Sequence, residues 1–462
     1  MSVTTGEGRR MRNNDTICAV STPYGVGGIA VVRLSGPDAK RIAETFLKTS
    51  KGRAVTLADH KAKLCDFVHE GDLVDELVAT YFATPHSYTG EDVVELSCHG
   101  SLYVQQALLQ CLLDAGARLA EPGEFTLKAF LSGRLNLSQA EAVADLIDSR
   151  SRSAHDLAVS QFRGGYAQEL ETMRKELIDI SALLELELDF SDEDLEFVNR
   201  DRLLHLVDTL SEKVQRLLDS FRLGNALKQG IPVAIIGRPN AGKSSLLNAL
   251  LNDDRAIVSS IPGTTRDTIE ETMTIDGMLF RFIDTAGLRE SDDMLENIGF
   301  DRAIKSAKQA QVVLFVRAVD GDSDTIGDDI AFITSKCPME DKHFFVVHSK
   351  CDLPHDLHET GIYVSAKEDA GIEELKQAIV KAVKSDVDRQ GDILLANSRH
   401  FEALAKVLSA LSEVRKGLEV QLTQDLIAID LRDALYHLGS ITGSVSSDEV
   451  LSSVFSRFCI GK

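Results

Sequence analysis

Val233-Ala-Ile-Ile236 runs directly into Gly237-Arg-Pro-Asn-Ala-Gly-Lys-Ser244, and Ser245-Leu-Leu-Asn-Ala-Leu250 follows. A β-rich apolar run, a G-x-x-x-x-G-K-S loop and a helix-forming stretch in this order make a unit built to hold phosphate. Glycines let backbone N–H groups converge on an anion, and the following helix turns its positive end toward it. Lys243 reaches outward phosphates, the Ser244 hydroxyl suits Mg²⁺, and Asn240, Ala241, Gly242 and Ser245 complete the cradle.

Around this loop, residues 230–386 alternate strand and helix signals. Leu279-Phe-Arg-Phe-Ile283, Val312-Val-Leu-Phe-Val316, Phe344-Phe-Val-Val347 and Ile362-Tyr-Val364 are apolar runs, each followed by a polar loop or helix. The pattern predicts a parallel sheet with helices on both faces.

Whether the base is adenine or guanine is decided downstream. Asp284-Thr285-Ala286-Gly287 follows a strand, where a carboxylate would hold Mg²⁺ through water and a glycine N–H would sense a γ-phosphate. Thr264 and Thr265, in Pro262-Gly263-Thr264-Thr265-Arg-Asp267, sit where a loop supplies a second Mg²⁺ ligand. After the strand 344–347 comes Ser349-Lys350-Cys351-Asp352, and after the next strand Ser365-Ala366-Lys367. Asp352 accepts hydrogen bonds from a guanine N–H and amino group, and the 365–367 backbone meets the guanine carbonyl. Adenine would leave that carboxylate unpaired, so GTP is the expected nucleotide. The usual guanine motif starts with Asn. Ser349 is shorter, which predicts a lost brace to the phosphate loop and modest affinity. Leu288 stands where Ras-like GTPases carry the Gln that orients the attacking water. Leucine cannot orient water, so either hydrolysis is poor or another residue and another positive charge take over.

The flanks have a different texture. Residues 15–135 read as mixed α/β, with strands at Ile29–Leu34, Leu77–Phe82 and Asp92–Leu96 and a helix over 38–48. Residues 138–190 repeat apolar positions at three-to-four spacing with a break at Gly164-Gly165. Helical stretches 201–222, after the acidic turn Ser191-Asp-Glu-Asp194, and 396–439 follow the same rule. The expected fold class is α/β plus α, with a nucleotide-binding domain inserted into a helical one.

The chain has 462 residues, with 50 Lys and Arg against 72 Asp and Glu, a formal net charge of −22. That argues against coating nucleic acid by bulk charge, which needs concentrated Lys and Arg. Seven cysteines without a C-x-x-C pair read as reduced thiols. The opening MSVTTGEGRRMRNN lacks the apolar stretch of a signal peptide, and no window approaches the ~18 apolar residues of a membrane span. A cytoplasmic location without membrane attachment is the expectation.

Gly237–Ser244, Pro262–Asp267, Asp284-Thr-Ala-Gly-Leu-Arg-Glu290 and the closing Phe458-Cys-Ile-Gly-Lys462 resemble the MnmE (TrmE) family of tRNA modification GTPases. Ser87-Tyr-Thr-Gly-Glu-Asp92, Glu121-Pro-Gly-Glu-Phe-Thr126 and Leu137-Ser-Gln-Ala-Glu-Ala142 look like its front-domain signatures, so the resemblance covers nearly the whole chain. It implies residues 1–136 as a tetrahydrofolate-binding and dimerisation domain, 137–229 and 387–462 as two parts of a helical domain, and 230–386 as an inserted Ras-like G domain. The implied activity is GTP hydrolysis with potassium-assisted meeting of two G domains. With the flavoprotein MnmG, as a heterotetramer, the homodimer would add an aminomethyl or carboxymethylaminomethyl group to carbon five of the wobble uridine of certain tRNAs. The one-carbon unit would come from a reduced folate, 5,10-methylene- or 5-formyltetrahydrofolate.

Carried over residue by residue, the resemblance puts K⁺ on Asn240, Ser259, Ile261 and Thr264, with Ser260, Pro262 and Gly263 in the same nucleotide-binding loop, and Mg²⁺ on Ser244 and Thr265. A monovalent cation there takes the place of an arginine finger. Glu296 would orient the water that Leu288 cannot. Folate would meet Arg33, Glu95, Arg134 and Lys462. The family commonly has Lys at Arg134, which keeps the charge, and Arg at Glu121, which reverses it. Cys459 matches the family's C-terminal cysteine and is placed near the modification site. His99, in Cys98-His-Gly100, reads better as a hydrogen-bonded structural histidine than as a base. A regulatory GTPase switch in ribosome assembly is the competing function. It would be expected to carry a basic RNA-binding appendage.

Overall fold

Two short turns, Glu70-Gly71 and Asp276-Gly277, organise the edges of two sheets. All four residues have positive φ, 51°, 97°, 49° and 78°, as a two-residue hairpin turn with right-handed strand twist requires. The computed structural model describes residues 15–189, 200–252, 271–283, 304–320, 326–339, 341–355, 359–391, 393–445, 447–456, 458 and 460–461. It divides into two units, Met1–Ala144 with Gly439–Lys462, and Asp145–Leu438.

The first unit is built on β1 (Ile17–Val20), β2 (Gly27–Ser35), β3 (Leu47–Lys48), β4 (Lys61–His69), β5 (Asp72–Phe82), β6 (Val93–Gly100) and β7 (Arg118–Leu119). Their order is β3-β4-β5-β6-β2-β1-β7, antiparallel except for the β1–β7 pair. Helices α1 (Ala39–Phe46) and α2 (Leu102–Asp114) cover one face, where Leu34, Ile42, Phe67, Leu96 and Leu108 are buried together. Each such side chain contributes about 1.5–3 kcal/mol by leaving water. Three of these strands follow the sequence expectation. The expectation lacked β1, β3, β4 and β7; the first half of β4, Lys61-Ala-Lys-Leu64, is exposed and gives no clean alternation. Helix α3 (Glu124–Leu131) and the start of α4 (Leu137–Asp148) bury Leu137 and Ala140 against Leu451, Val454, Phe455 and Phe458. The closing segment then returns to the first strand. Ser21 Oγ donates to Gly461 O at 3.0 Å, and a Cβ on Gly461 would stand 2.4 Å from Val20 O, so glycine is required there.

The second unit starts with α5 (Arg152–Phe162), α6 (Gly165–Asp189) and α7 (Arg200–Gln229). The interruption between α4 and α5 was not expected within 138–190. It exists because the Ser151 hydroxyl accepts from Ala154 N and caps a new helix. Next come β8 (Ile231–Ile236), α8 (Lys243–Asn252), β9 (Glu271–Ile275), β10 (Met278–Phe282), β11 (Val312–Ala318), α9 (Ile326–Lys336), β12 (His343–Ser349), β13 (Ile362–Tyr363) and α10 (Ile372–Gln390). Helices α11 (Ser398–Glu419) and α12 (Gln424–Thr442) complete it, where one stretch 396–439 was expected. The sheet order is β13-β12-β11-β8-β10-β9. It is parallel from β13 to β10, and β11 is buried at every position, as a central strand covered on both faces must be. The all-parallel expectation fails at one edge, because the Asp276-Gly277 turn folds β9 back antiparallel on β10. Among the described residues, no helix is long and apolar enough to cross a membrane.

Candidate functional site

The phosphate loop leaves the carboxyl end of β8, where open α/β sheets place their ligands. Gly237, Asn240 and Gly242 all take positive φ, 151°, 60° and 85°, which turns successive N–H groups toward one side. At Gly237 a Cβ would lie 2.1 Å from Val316 O, so β11 permits only glycine. Lys243 opens α8 and its Nζ donates to Gly237 O at 3.0 Å and Arg238 O at 2.7 Å. Burial holds its pKa below the ordinary lysine value. Among the described residues its hydrogen-bond partners are neutral carbonyls, so no carboxylate there competes with an incoming phosphate. The described loop therefore fits a nucleotide phosphate, and Ser244 and Asn240 lie on it where Mg²⁺ and K⁺ are expected.

The guanine motif lies at the ends of β12 and β13. Ser349 is buried, and its hydroxyl donates to Ala241 O at 2.6 Å, with Arg317 O at 3.1 Å as a second acceptor. The expected loss of the brace is thus corrected. The serine reaches the phosphate loop because Gly242 carries no side chain, and a Cβ there would come within 3.2 Å of Ser349 Oγ. Lys350 extends to Asp320 at 3.2 Å. Ser365 Oγ donates to Asp352 Oδ1 at 2.8 Å, and this hydrogen bond is the main reason the carboxyl titrates below its usual range. Cys351 N donates to Val364 O, and Val364 N to His348 O, so the 349–352 and 365–367 segments, including Ala366 and Lys367, are fixed to one another. Ser245 follows Ser244 in the first turn of α8.

Other expected nucleotide and metal residues lie outside the described residues: Ser259, Ser260, Ile261, Pro262, Gly263, Thr264, Thr265, Asp284, Thr285, Ala286, Gly287 and Glu296. They flank the β9–β10 hairpin in sequence. Lys462 and Cys459 also lie outside.

In the first unit, β2 and β6 bring Arg33 and Glu95 into register, and Arg33 Nε and Nη2 both bond Glu95 Oε1 at 3.0 and 2.8 Å. The guanidinium lies 5.3 Å from the Tyr88 ring centre and 5.6 Å from that of Phe125. Tyr88 is fixed through its hydroxyl to Thr126, at 2.8 Å. An ion pair between two aromatic faces, with Glu95 Oε2 taking no hydrogen bond among the described residues, suits a flat heterocycle with both donors and acceptors. Arg134 follows α3 and is exposed, with no contact to this pair among the described residues. Tyr88 and Phe125 were missed as site residues, although both stand inside the quoted front-domain motifs. Nearby, Lys128 is 7% exposed and donates to both Glu91 oxygens at 3.0 and 2.8 Å. Glu121, exposed, offers its N–H to Glu124 Oε2.

His99 matches its structural reading. Its Nδ1 lies 2.7 Å from Asp75 Oδ1, while its backbone N–H donates to Asp75 Oδ2. Burial pushes the Cys18 and Cys98 thiols up to about 11, so neither is an activated nucleophile. Among the described residues no cluster of His, Cys, Asp and Glu forms a metal site.

A family model described as MnmE helical domain matches residues 137–459, and one described as GTP-binding protein TrmE N-terminus matches 16–134. The tRNA modification GTPase MnmE of Flavobacterium johnsoniae is 45% identical over 98% of this chain and 100% of its own length. That of Christiangramia forsetii is 46% identical over 98% and 100%, and that of Parabacteroides distasonis 47% over 97% and 100%.

Proposed function

The chain belongs to the MnmE (TrmE) family of tRNA modification GTPases, and from that premise we propose how its residues divide the work. It is a GTP hydrolase acting in tRNA modification, and tRNA is its substrate. The observation that carries the reading is the phosphate loop braced by Ser349 beside an ionised Asp352.

Lys243 and the loop N–H groups bind the phosphates, Asp352 takes the guanine N–H groups, and Ser365 orients that carboxylate. Ser244 with Thr265 would hold Mg²⁺. Asn240, Ser259, Ile261 and Thr264 would hold K⁺. When bound, these ions supply positive charge against the developing phosphate charge, as an arginine finger does elsewhere. Glu296 orients the attacking water. In the front domain, 1–136, Glu95 and Arg33 hold a reduced folate, with Arg134 and Lys462 toward its anionic tail. The folate supplies the one-carbon unit.

The G domain, 230–386, would be inserted between helical parts 137–229 and 387–462. The protein would work in the cytoplasm as a homodimer joined through the front domain, with MnmG completing a heterotetramer. Together they would place an aminomethyl or carboxymethylaminomethyl group on carbon five of the wobble uridine. Cys459 would stand near the site of modification. Mass spectrometry of tRNA nucleosides from cells lacking the gene, beside complemented cells, tests this. Loss and restoration of that nucleoside is expected. An unchanged profile would overturn the reading and favour the ribosome-assembly switch.

A further inference from the structure

The β9–β10 hairpin is bonded along one edge to β8, the strand that delivers the phosphate loop: Phe280 pairs with Ile231, Arg281 with Pro232 and Phe282 with Val233. Its tip is held from two other directions. In the first turn of α5, Ser153 donates its N–H to Gly277 O at 3.0 Å, and the Arg152 side chain lies where a Cβ on Gly277 would come within 3.0 Å. From α10, Lys384 pairs with Asp276.

One side of α5 borders a groove. A cavity of about 180 Å³ is lined by Ala154, Ala158 and Gln161 of α5 and bounded by Asp145, Lys228 and Gln229. Gln161 is 7% exposed, yet its Nε2 has no hydrogen-bond partner among the described residues. The groove is partly open and leaves room on this side of α5, while Ala154 and Ala158 stay buried and Leu157 packs against the core of the second unit. Gln229 ends α7, which passes through Gly230 into β8.

We infer that α5 is a relay of the nucleotide site. A change at the phosphate loop passes through β8 and β10 to the hairpin tip, and α5 follows the tip by moving into the cavity beside it. The relay rests on the guanine-nucleotide reading of the loop. It makes Asp276, Gly277 and Ser153 the points at which nucleotide state enters the helices.

Hydrogen–deuterium exchange on the full chain, loaded with GDP or with a non-hydrolysable GTP analogue, tests it after fluorescent-nucleotide titration has established binding. Peptides spanning 151–158 and 274–280 are expected to change exchange rate together, by about fivefold, the low end of ordinary coupling. Ala158→Leu fills the cavity and should leave the hairpin response while abolishing that of α5. Asp276→Asn, which removes the charge that pairs with Lys384 yet suits the positive φ of the turn, should reduce the α5 response. A hairpin that responds while α5 does not overturns the relay, as does an α5 response that both variants leave intact. Failure to bind guanine nucleotide at all removes the functional reading and the relay with it.

Discussion

The two candidate sites treat charge in opposite ways. In the first unit, Arg33 is paired with Glu95 and the buried Lys128 with Glu91, while the exposed Arg134 stands apart from the Arg33–Glu95 pair. In the second, among the described residues, Lys243 meets only the carbonyls of Gly237 and Arg238, and Asp352 only the Ser365 hydroxyl among its hydrogen-bonding side chains. A site for a polyanion has to keep its positive charge uncommitted until the ligand arrives. A paired site instead presents a dipole, which suits a ligand of mixed polarity and penalises a bare anion.

The contrast breaks most readily at Glu91. Its removal strands a buried ammonium, so Glu91→Ala should cost about 3 kcal/mol in urea unfolding while guanine-nucleotide affinity stays unchanged. A loss under 1 kcal/mol would mean that the pairing is not what holds Lys128. The reverse holds at Lys243, which has no carboxylate partner among the described residues. Lys243→Ala should lower nucleotide affinity about 100-fold, roughly 2.7 kcal/mol, with little change in melting temperature. A large drop in melting temperature would show that the lysine is also structural.

Ser349→Ala sharpens the comparison further, since it removes a donor from a buried carbonyl without touching any charge. The expected loss is about tenfold in GDP affinity, within the range for an unsatisfied buried acceptor. Ser349→Thr should recover most of it, and equal affinity for all three proteins would dismiss the brace. The smallest effect is in pH. Asp352 titrates below its usual range, so its contribution is present at neutral pH and is lost only as pH falls through that lowered value. Lys243 titrates low through burial, so affinity should decline as pH rises through a point below the ordinary lysine value. A titration between pH 5 and 8 should therefore change affinity by less than about threefold. A steep acid loss within that window would place another group in the site.

How much was legible in the sequence follows from how local each feature is. Gly237–Ser244 carries its chemistry in eight consecutive residues, and the strand before it and the helix after it formed as read. Ser349 and Ala241 lie 108 positions apart, so their hydrogen bond depends on how closely β12 approaches the loop, which no motif states. Arg33 and Glu95 were both picked out, but their register across β2 and β6 turns two separate ligands into one pair. The β9–β10 hairpin left a signal, Asp276-Gly277, that passed unused because the run before it, Glu271-Thr-Met-Thr-Ile275, is short and half polar. Ser151 likewise announced a helix start, yet the apolar spacing continues across it and hides the break.

The bond from Ser21 to Gly461 spans 440 positions, and it has a consequence for biosynthesis. Strand β1 leaves the ribosome before the second unit, yet Gly461, its neighbour along Val20 and Ser21, is made only after the whole of that unit. The first unit therefore cannot close as it emerges. It must wait half-built, with the apolar surface that later receives Phe455 and Phe458 uncovered, until translation has passed everything between. A message cut short would yield a chain with that surface still open, ready for chaperones or proteases to find.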